Sequence, residues 1–190
     1  MANIIFITYH DFTSNSAIQI HTFANQLVKL GHTCIVAVPS NKHTVYDAIG
    51  GDVLYTPFEF SELRAAKNLF QDGRGPDIVH AWTPREIVRK ECIPLVKRYK
   101  CKLIVHLEDN EEQILSDHLC RTIQQLRSCS EKEISSMTPD HLSHLYYYKD
   151  FLKMADGITI IMDRLSEFIP DNKEYMVLWP GVDCSRFDPE

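Results

Sequence analysis

Three short stretches of this 190-residue chain carry residue types able to move protons or hold hydroxyls. They are His10-Asp11, His80-Ala81-Trp82 and His106-Leu107-Glu108-Asp109. Trp82 offers an apolar platform, and imidazoles with carboxylates around such a platform suit a polyhydroxylated ligand. Each stretch closes an apolar run rich in β-branched residues, which is the pattern of a strand buried on both faces. If the three strands are neighbours, their polar ends converge on one rim.

The element that must position the first stretch spans Asn3 to Gly31. Ile4-Ile5-Phe6-Ile7 reads as a strand, and the polar segment Tyr9 to Asn15 follows it. Apolar spacing then turns helical, with Ala17, Ile20, Ala24 and Leu27 on one face and Gly31 as the stop. Ser16 with Gln19 reads as a capping box. A central strand feeding a helix through a polar loop sets that loop at the carboxyl end of the sheet. Open α/β sheets bind ligands there, and the free N–H groups of the helix face whatever enters. Tyr9, His10, Asp11, Ser14, Asn15 and Ser16 are therefore candidate ligand contacts; a solvated connector is the equally weighted alternative.

The rest of the chain repeats the alternation. Strands are expected at 32–39, 52–58, 77–82, 102–107, 158–162 and 175–178. A surface helix is expected over Phe60 to Phe70. Thr83 as cap, Pro84 at the first position and Glu86 closing the box predict a helix start, with a kink or break at Pro94. Residues 111 to 155 read as mostly helical, with Ser130 to Met137 as a connector and a new helix from Thr138-Pro139. About seven strands alternating with helices predict an α/β fold with a mostly parallel sheet covered on both faces.

Blander roles compete for the same residues. Glu108 to Glu112 also suits the first turn of a helix, where acids complement the dipole. His80 and His106, each taken alone, suit strand histidines satisfied by backbone. His141 and His144, three apart, share a helix face and could hold a metal, but no third ligand is evident, so a surface pair is expected.

Composition excludes several classes. The formal charge is −6 and no stretch is strongly basic, which argues against nucleic acid as a partner. The basic cluster from Lys97 to Lys102 falls at a helix end, where cations complement the dipole; a membrane-surface role is left open without support from charge. Met1-Ala2-Asn3 lacks a basic leader, and the first apolar run is too short for a signal peptide. The six cysteines form no Cys-x-x-Cys pair and read as free thiols of a cytoplasmic protein. The first loop has no glycine, and neither a Walker loop nor a Gly-x-Ser-x-Gly elbow occurs, which demotes dehydrogenases, nucleotide hydrolases and α/β-hydrolases.

Four segments in order resemble the amino-terminal half of a GT-B glycosyltransferase of family four, the retaining nucleotide-sugar enzymes. Leu27 to Val36 resembles the family's helix-Gly-His-strand turn. Asp77-Ile78-Val79-His80-Ala81-Trp82 is similar to its Asp-hydrophobic-Val-His-x-His strand. Ala155-Asp156-Gly157-Ile158-Thr159 resembles its strand entry. Pro180 to Pro189 is close to its Asn-Gly-Val-Asp-x-x-x-Phe-x-Pro segment, with Pro180 in place of Asn. Two departures stand out. Ser14-Asn15-Ser16 occupies the place of the family's glycine pair. Glu108 falls where the family's fifth strand ends in a His near the transferred sugar, so either Glu108 replaces that His or His106 serves from the other side of the pleat.

The resemblance implies one Rossmann-like domain over 1–190, holding the acceptor, with a donor-binding carboxyl-terminal domain absent. It implies transfer from a nucleotide-diphosphate sugar to a sugar or lipid-linked acceptor, with retention and without a metal or other cofactor. Glu108, Asp109 or His106 would stabilise developing charge and orient hydroxyls, while the first loop, His80 and Trp82 would contact acceptor. On this reading the chain alone is inactive. A GT-B sugar-nucleotide epimerase and a non-catalytic flavodoxin-like binding module are the alternatives.

Overall fold

The computed structural model describes residues 1–48 and 51–181. The first half contains β1 (Asn3–Thr8), α1 (Asn15–Lys29), β2 (Thr33–Val38), α2 (Thr44–Ala48), β3 (Thr56–Glu59), α3 (Phe60–Ala65) and β4 (Ile78–Trp82). The second contains α4 (Glu86–Tyr99), β5 (Lys102–Leu107), α5 (Glu111–His118), α6 (Ile123–Ser128), α7 (Glu131–Met137), α8 (Tyr147–Met154), β6 (Gly157–Ile160) and β7 (Tyr175–Val177). A 3-10 turn at Asp163–Phe168 follows β6.

The strands form one sheet in the order β3-β2-β1-β4-β5-β6-β7, with every neighbouring pair parallel. Alternation along the strands divides the apolar residues between two faces. Ile5, Ile7, Ala81 and Val105 pack with Val88 and Cys92 of α4 and with Phe151 and Leu152 of α8. Ile4, Phe6 and Trp82 pack with Ala17, Ile20 and Ala24 of α1. Burying each Ile or Leu of these faces stabilises the fold by about 1.5–3 kcal/mol. Leu115, Leu126, Ile134, Leu142 and Leu145 make a smaller core among the helices between β5 and β6.

The chain first winds from β1 outward to β3, then crosses to the other side of β1 to lay down β4. Loops leaving β1 and β4 therefore diverge, which opens a crevice between them at the carboxyl end of the sheet. Gly31 takes the left-handed conformation (φ 89°) in the turn from α1 to β2, where His32 N–H donates to Leu27 O at 3.0 Å.

Several local expectations are corrected. Ser14, not Ser16, caps α1, accepting from Ala17 N–H at 3.2 Å. Helix α4 starts at Glu86 with Arg85 as its cap, because Thr83 adopts φ 74° and turns the chain before the helix can begin. Helix α4 also runs through Pro94: that ring is on the exposed side, where the carbonyl it leaves without a helical partner can meet solvent. Ser130 to Met137 is no connector, since Ser130 and Glu133 form a capping box that starts α7. No helix starts at Thr138; the segment to Tyr146 is irregular and α8 begins at Tyr147, although Leu142, Leu145, Tyr148, Leu152 and Ala155 are all buried as expected. The helix expected up to Phe70 stops at Ala65, and the strand expected from Asp52 starts at Thr56. The motif running from Val182 to Pro189, with Asp183 and Cys184, lies outside the described residues.

Candidate functional site

Strands β1, β4 and β5 are adjacent, and their registers pair Thr8 with Trp82 and Trp82 with His106. The three polar stretches thus end on one rim, at the crevice between β1 and β4. They do not form one cluster there. The sheet separates them into two groups, one under α1 and one on the opposite side.

The group under α1 is aromatic and closed. Ring centroids lie 5.2 Å apart for His80 and Trp82 and 4.1 Å apart for Trp82 and His106, with Phe6 and Phe23 packed against the same indole. Thr159 of β6 bridges the imidazoles, its hydroxyl 2.8 Å from His106 Nδ1 and 3.3 Å from His80 Nε2. Burial lowers both imidazoles to about 3, His106 with a further contribution from neighbouring His80. Both are therefore neutral at physiological pH.

Glu108 closes this group. Its carboxylate accepts from Trp82 Nε1–H at 2.7 Å and, through the other oxygen, from the Ser16 hydroxyl. Burial pushes its carboxyl above the usual range, against the pull of these two donors. Glu108 thereby ties β5 to α1 and β4. His106 and Glu108 do not oppose one another across the pleat: residues two apart share a face, and both lie against Trp82. Trp82 and His106 are 0% exposed, so the Trp82 indole is not the open platform expected from the sequence, and His106 is closed off with it.

On the opposite side, Arg85 organises the rim. Its guanidinium lies 3.7 Å from the Tyr9 ring centroid, a cation–π contact. Its Nη2 is 3.6 Å from Asp109 Oδ2 and its Nε is 3.6 Å from Glu111 Oε2, too long for hydrogen bonds. Ser143 donates to Glu111 Oε2 at 2.7 Å. Burial raises the Glu111 carboxyl, opposed first by the Arg85 charge. Asp109 is exposed. Thr83 connects the two sides: its left-handed turn, rare for a β-branched residue, sends Trp82 into one core and Arg85 onto Tyr9.

The first loop reaches the rim from β1. His10 Nδ1 lies 3.0 Å from Asp11 Oδ1, and that oxygen also accepts from the Thr13 N–H at 3.1 Å and the Thr13 hydroxyl at 2.5 Å. Burial raises the Asp11 carboxyl, but the Thr13 and His10 contacts outweigh it and hold it below the usual range. His10 and Asn15 are exposed, Tyr9, Asp11 and Ser14 half-buried, and Ser16 buried under Glu108. Among the described residues, five buried side-chain atoms lack a hydrogen-bond partner: Thr8 Oγ1, Thr83 Oγ1, Arg85 Nε, His106 Nε2 and Glu111 Oε1. Every one sits in or just past the carboxyl-terminal half of β1, β4 or β5.

Arg85, Glu111 and Thr159 are site residues that sequence reasoning missed. A Thr-Pro-Arg-Glu run suggested a helix cap and hid the arginine's role. In the sequence Glu111 is one of a run of acids from Glu108 to Glu112, yet only Glu111 and Glu112 lie in the first turn of α5, behind the Asn110 cap. Nothing in the sequence marked Thr159. His141 and His144 share no helix; His144 is buried, its Nε2 3.0 Å from the Ser135 hydroxyl, and no group of three or more His, Cys, Asp or Glu among the described residues is placed to hold a metal ion. No helix among the described residues is long and apolar enough to cross a membrane, and the five described cysteines are free.

The chain's Rossmann-like fold is that of sugar-transferring enzymes of known structure. A UDP-glucosyltransferase from Polygonum tinctorium that glucosylates indoxyl superposes with TM-score 0.57 at 11% identity, over 94% of this chain and 52% of that one. UGT2 of Phytolacca americana, solved with UDP-2-fluoroglucose and pterostilbene, gives 0.58 at 11% identity over 95% of this chain and 53% of that one. The kitacinnamycin glycosyltransferase gives 0.53 at 10% identity, over 96% and 52%. The chain thus spans about half the length of these glycosyltransferases. No family model and no curated protein matches its sequence.

Proposed function

We propose that this chain is the acceptor-holding half of a glycosyltransferase that moves a sugar from a nucleotide-diphosphate donor to an acceptor hydroxyl. One observation carries the reading: the buried polar atoms without partners gather where β1, β4 and β5 end, at the crevice where such sheets take ligands. The order of sequence motifs and the shared fold support it. The loop from Tyr9 to Asn15 lines the acceptor side, and His10, held by Asp11, receives the proton of the attacking hydroxyl. Glu108 acts as a brace, since both its oxygens are engaged. Leaving-group charge is met by a second half outside this chain.

The His10–Asp11 pair favours a second stereochemical outcome. Resemblance to family four implies retention. An exposed imidazole held by a carboxylate instead serves direct displacement, in which the deprotonated acceptor attacks opposite the departing diphosphate and inverts the anomeric carbon. Proton NMR of the product formed by the full-length protein from a nucleotide-sugar distinguishes the two by the anomeric coupling. In that assay His10→Ala is expected to lower kcat/KM on the order of a hundredfold or more. Residues 1–190 alone are expected to give no transfer; turnover of roughly 1 per second by this chain would place the donor site within it and overturn the reading.

A further inference from the structure

The rim on the Arg85 side carries an arrangement that the transfer chemistry does not use. Arg85 and Glu111 are 7% and 3% exposed, and each has one polar atom, Nε and Oε1, with no hydrogen-bond partner. The guanidinium is aimed between two carboxylates at 3.6 Å, Asp109 and Glu111, and closes on neither. A buried ion pair normally completes its hydrogen bonds, because leaving donors or acceptors unmade is costly. Here an unmade donor and an unmade acceptor belong to one ion pair, with the exposed Asp109 carboxylate beside them.

The atoms define the ligand. Nε–H only donates and a carboxylate oxygen only accepts, so a group that does both completes the pair, and a hydroxyl is such a group. Charge narrows the class further. Two carboxylates flank one guanidinium, and Glu108 lies close enough to add to the negative field at Glu111. An anionic group would meet two negative charges for one positive, and a cation would meet the guanidinium. Resting on the acceptor-side reading above, we propose that Arg85, Glu111 and Asp109 form the acceptor's recognition site, and that it takes a neutral polyhydroxylated ligand. One hydroxyl accepts from Arg85 and donates to Glu111, and a second donates to Asp109. Tyr9 keeps the guanidinium flat against the first loop. A phosphorylated or carboxylated acceptor is disfavoured by this site.

The test uses backbone NMR of the isotope-labelled chain titrated with glucose, maltose and glucose 6-phosphate. Neutral sugars are expected to move the amide signals of Arg85, Glu86 and Asp109 to Glu112, and glucose 6-phosphate to bind at least about tenfold more weakly. Glu111→Gln and Asp109→Asn are each expected to weaken neutral-sugar binding about tenfold or more, as for lost hydrogen bonds to a charged group. Asp109 is exposed, so its variant keeps the test intact if Glu111→Gln fails to fold. Equal or tighter binding of glucose 6-phosphate, unchanged affinity in the variants, or no signal movement with any sugar would each overturn the site. Transfer by the full-length protein with an unchanged acceptor KM in Asp109→Asn would remove this site and leave the glycosyltransferase reading standing. Sugar binding at these residues without any transfer would do the reverse.

Discussion

Between about pH 6.5 and pH 5 the two buried histidines are expected to cost this chain about 3 kcal/mol of folding stability. His80 and His106 are depressed to about 3 in the folded chain from an ordinary 6.5. Over the interval between those values the unfolded chain binds protons that the folded chain refuses, so stability rises with pH there. Their contribution is fully present above pH 6.5 and is lost as pH falls toward 3. The slope is about half of 1.4 kcal/mol per pH unit for each imidazole at pH 6.5 and approaches about 1.4 near pH 5. Glu108 and Glu111 act with the opposite sign, because burial raises their carboxyls and the folded chain takes up those protons first. Subtraction isolates the histidine part. Urea denaturation of the wild type and of a His80→Asn, His106→Asn double variant is measured at several pH values. The difference in stability should shrink steadily as pH falls. A constant difference would mean that the imidazoles titrate normally and are not held neutral by burial.

Glu108→Ala should destabilise the fold by about 3 kcal/mol, since it removes two hydrogen bonds to a charged acceptor and leaves their donors buried. The Trp82 indole N–H and the Ser16 hydroxyl would both lose their partner, and Ser16 and Trp82 are 2% and 0% exposed. For a chain of this size the corresponding fall in Tm is about 6–12 °C. Glu108→Gln should cost less, because its amide oxygen can take the Trp82 N–H and its NH2 can donate to the Ser16 hydroxyl, leaving only the charge lost from both bonds. These outcomes depart from the sequence-based assignment of Glu108 to the reacting sugar, on which turnover would suffer and stability would not. A thermal melt with near-wild-type Tm in Glu108→Ala would return Glu108 to the free groups of the site.

The architecture was readable because burial on both faces leaves a plain signature. Runs such as Ile4 to Ile7 and Cys34 to Val38 have no polar residue to place on a solvent side, and all their members but none of the flanking loop are strand. Caps were less readable, since they depend on the direction in which the chain enters a helix. Ser14 and Ser16 are chemically equal, and only the tie of Ser16 to Glu108 decides which one caps α1. The rim was half legible. Which strands end in polar residues could be read, but their adjacency stayed conditional, because the alternation of elements does not say that the chain crosses back from β3 to lay β4 beside β1. Which polar groups stay free could not, because Glu108 is consumed by partners 92 and 26 residues away along the chain. Arg85 was invisible for a related reason: its place beside Tyr9 follows from the left-handed Thr83, a conformation that residue type disfavours.

The winding order of the sheet also bears on how the chain is made. In the early sheet, β3-β2-β1, strand β1 is an edge, because its second neighbour, β4, pairs Ile78 with Ile4, which is 74 residues away. At a synthesis rate of about 5–20 residues per second, roughly 4–15 seconds separate the emergence of these two partners. Throughout that interval β1, whose six residues are all buried in the finished fold, has one open edge and only part of its cover. The segment from Asn3 to Glu59 is then a transient two-crossover sheet whose exposed β1 edge can pair with another nascent chain. A ribosome-bound chaperone that shields Ile4 to Ile7 until Trp82 has emerged would protect this protein more than one acting after release.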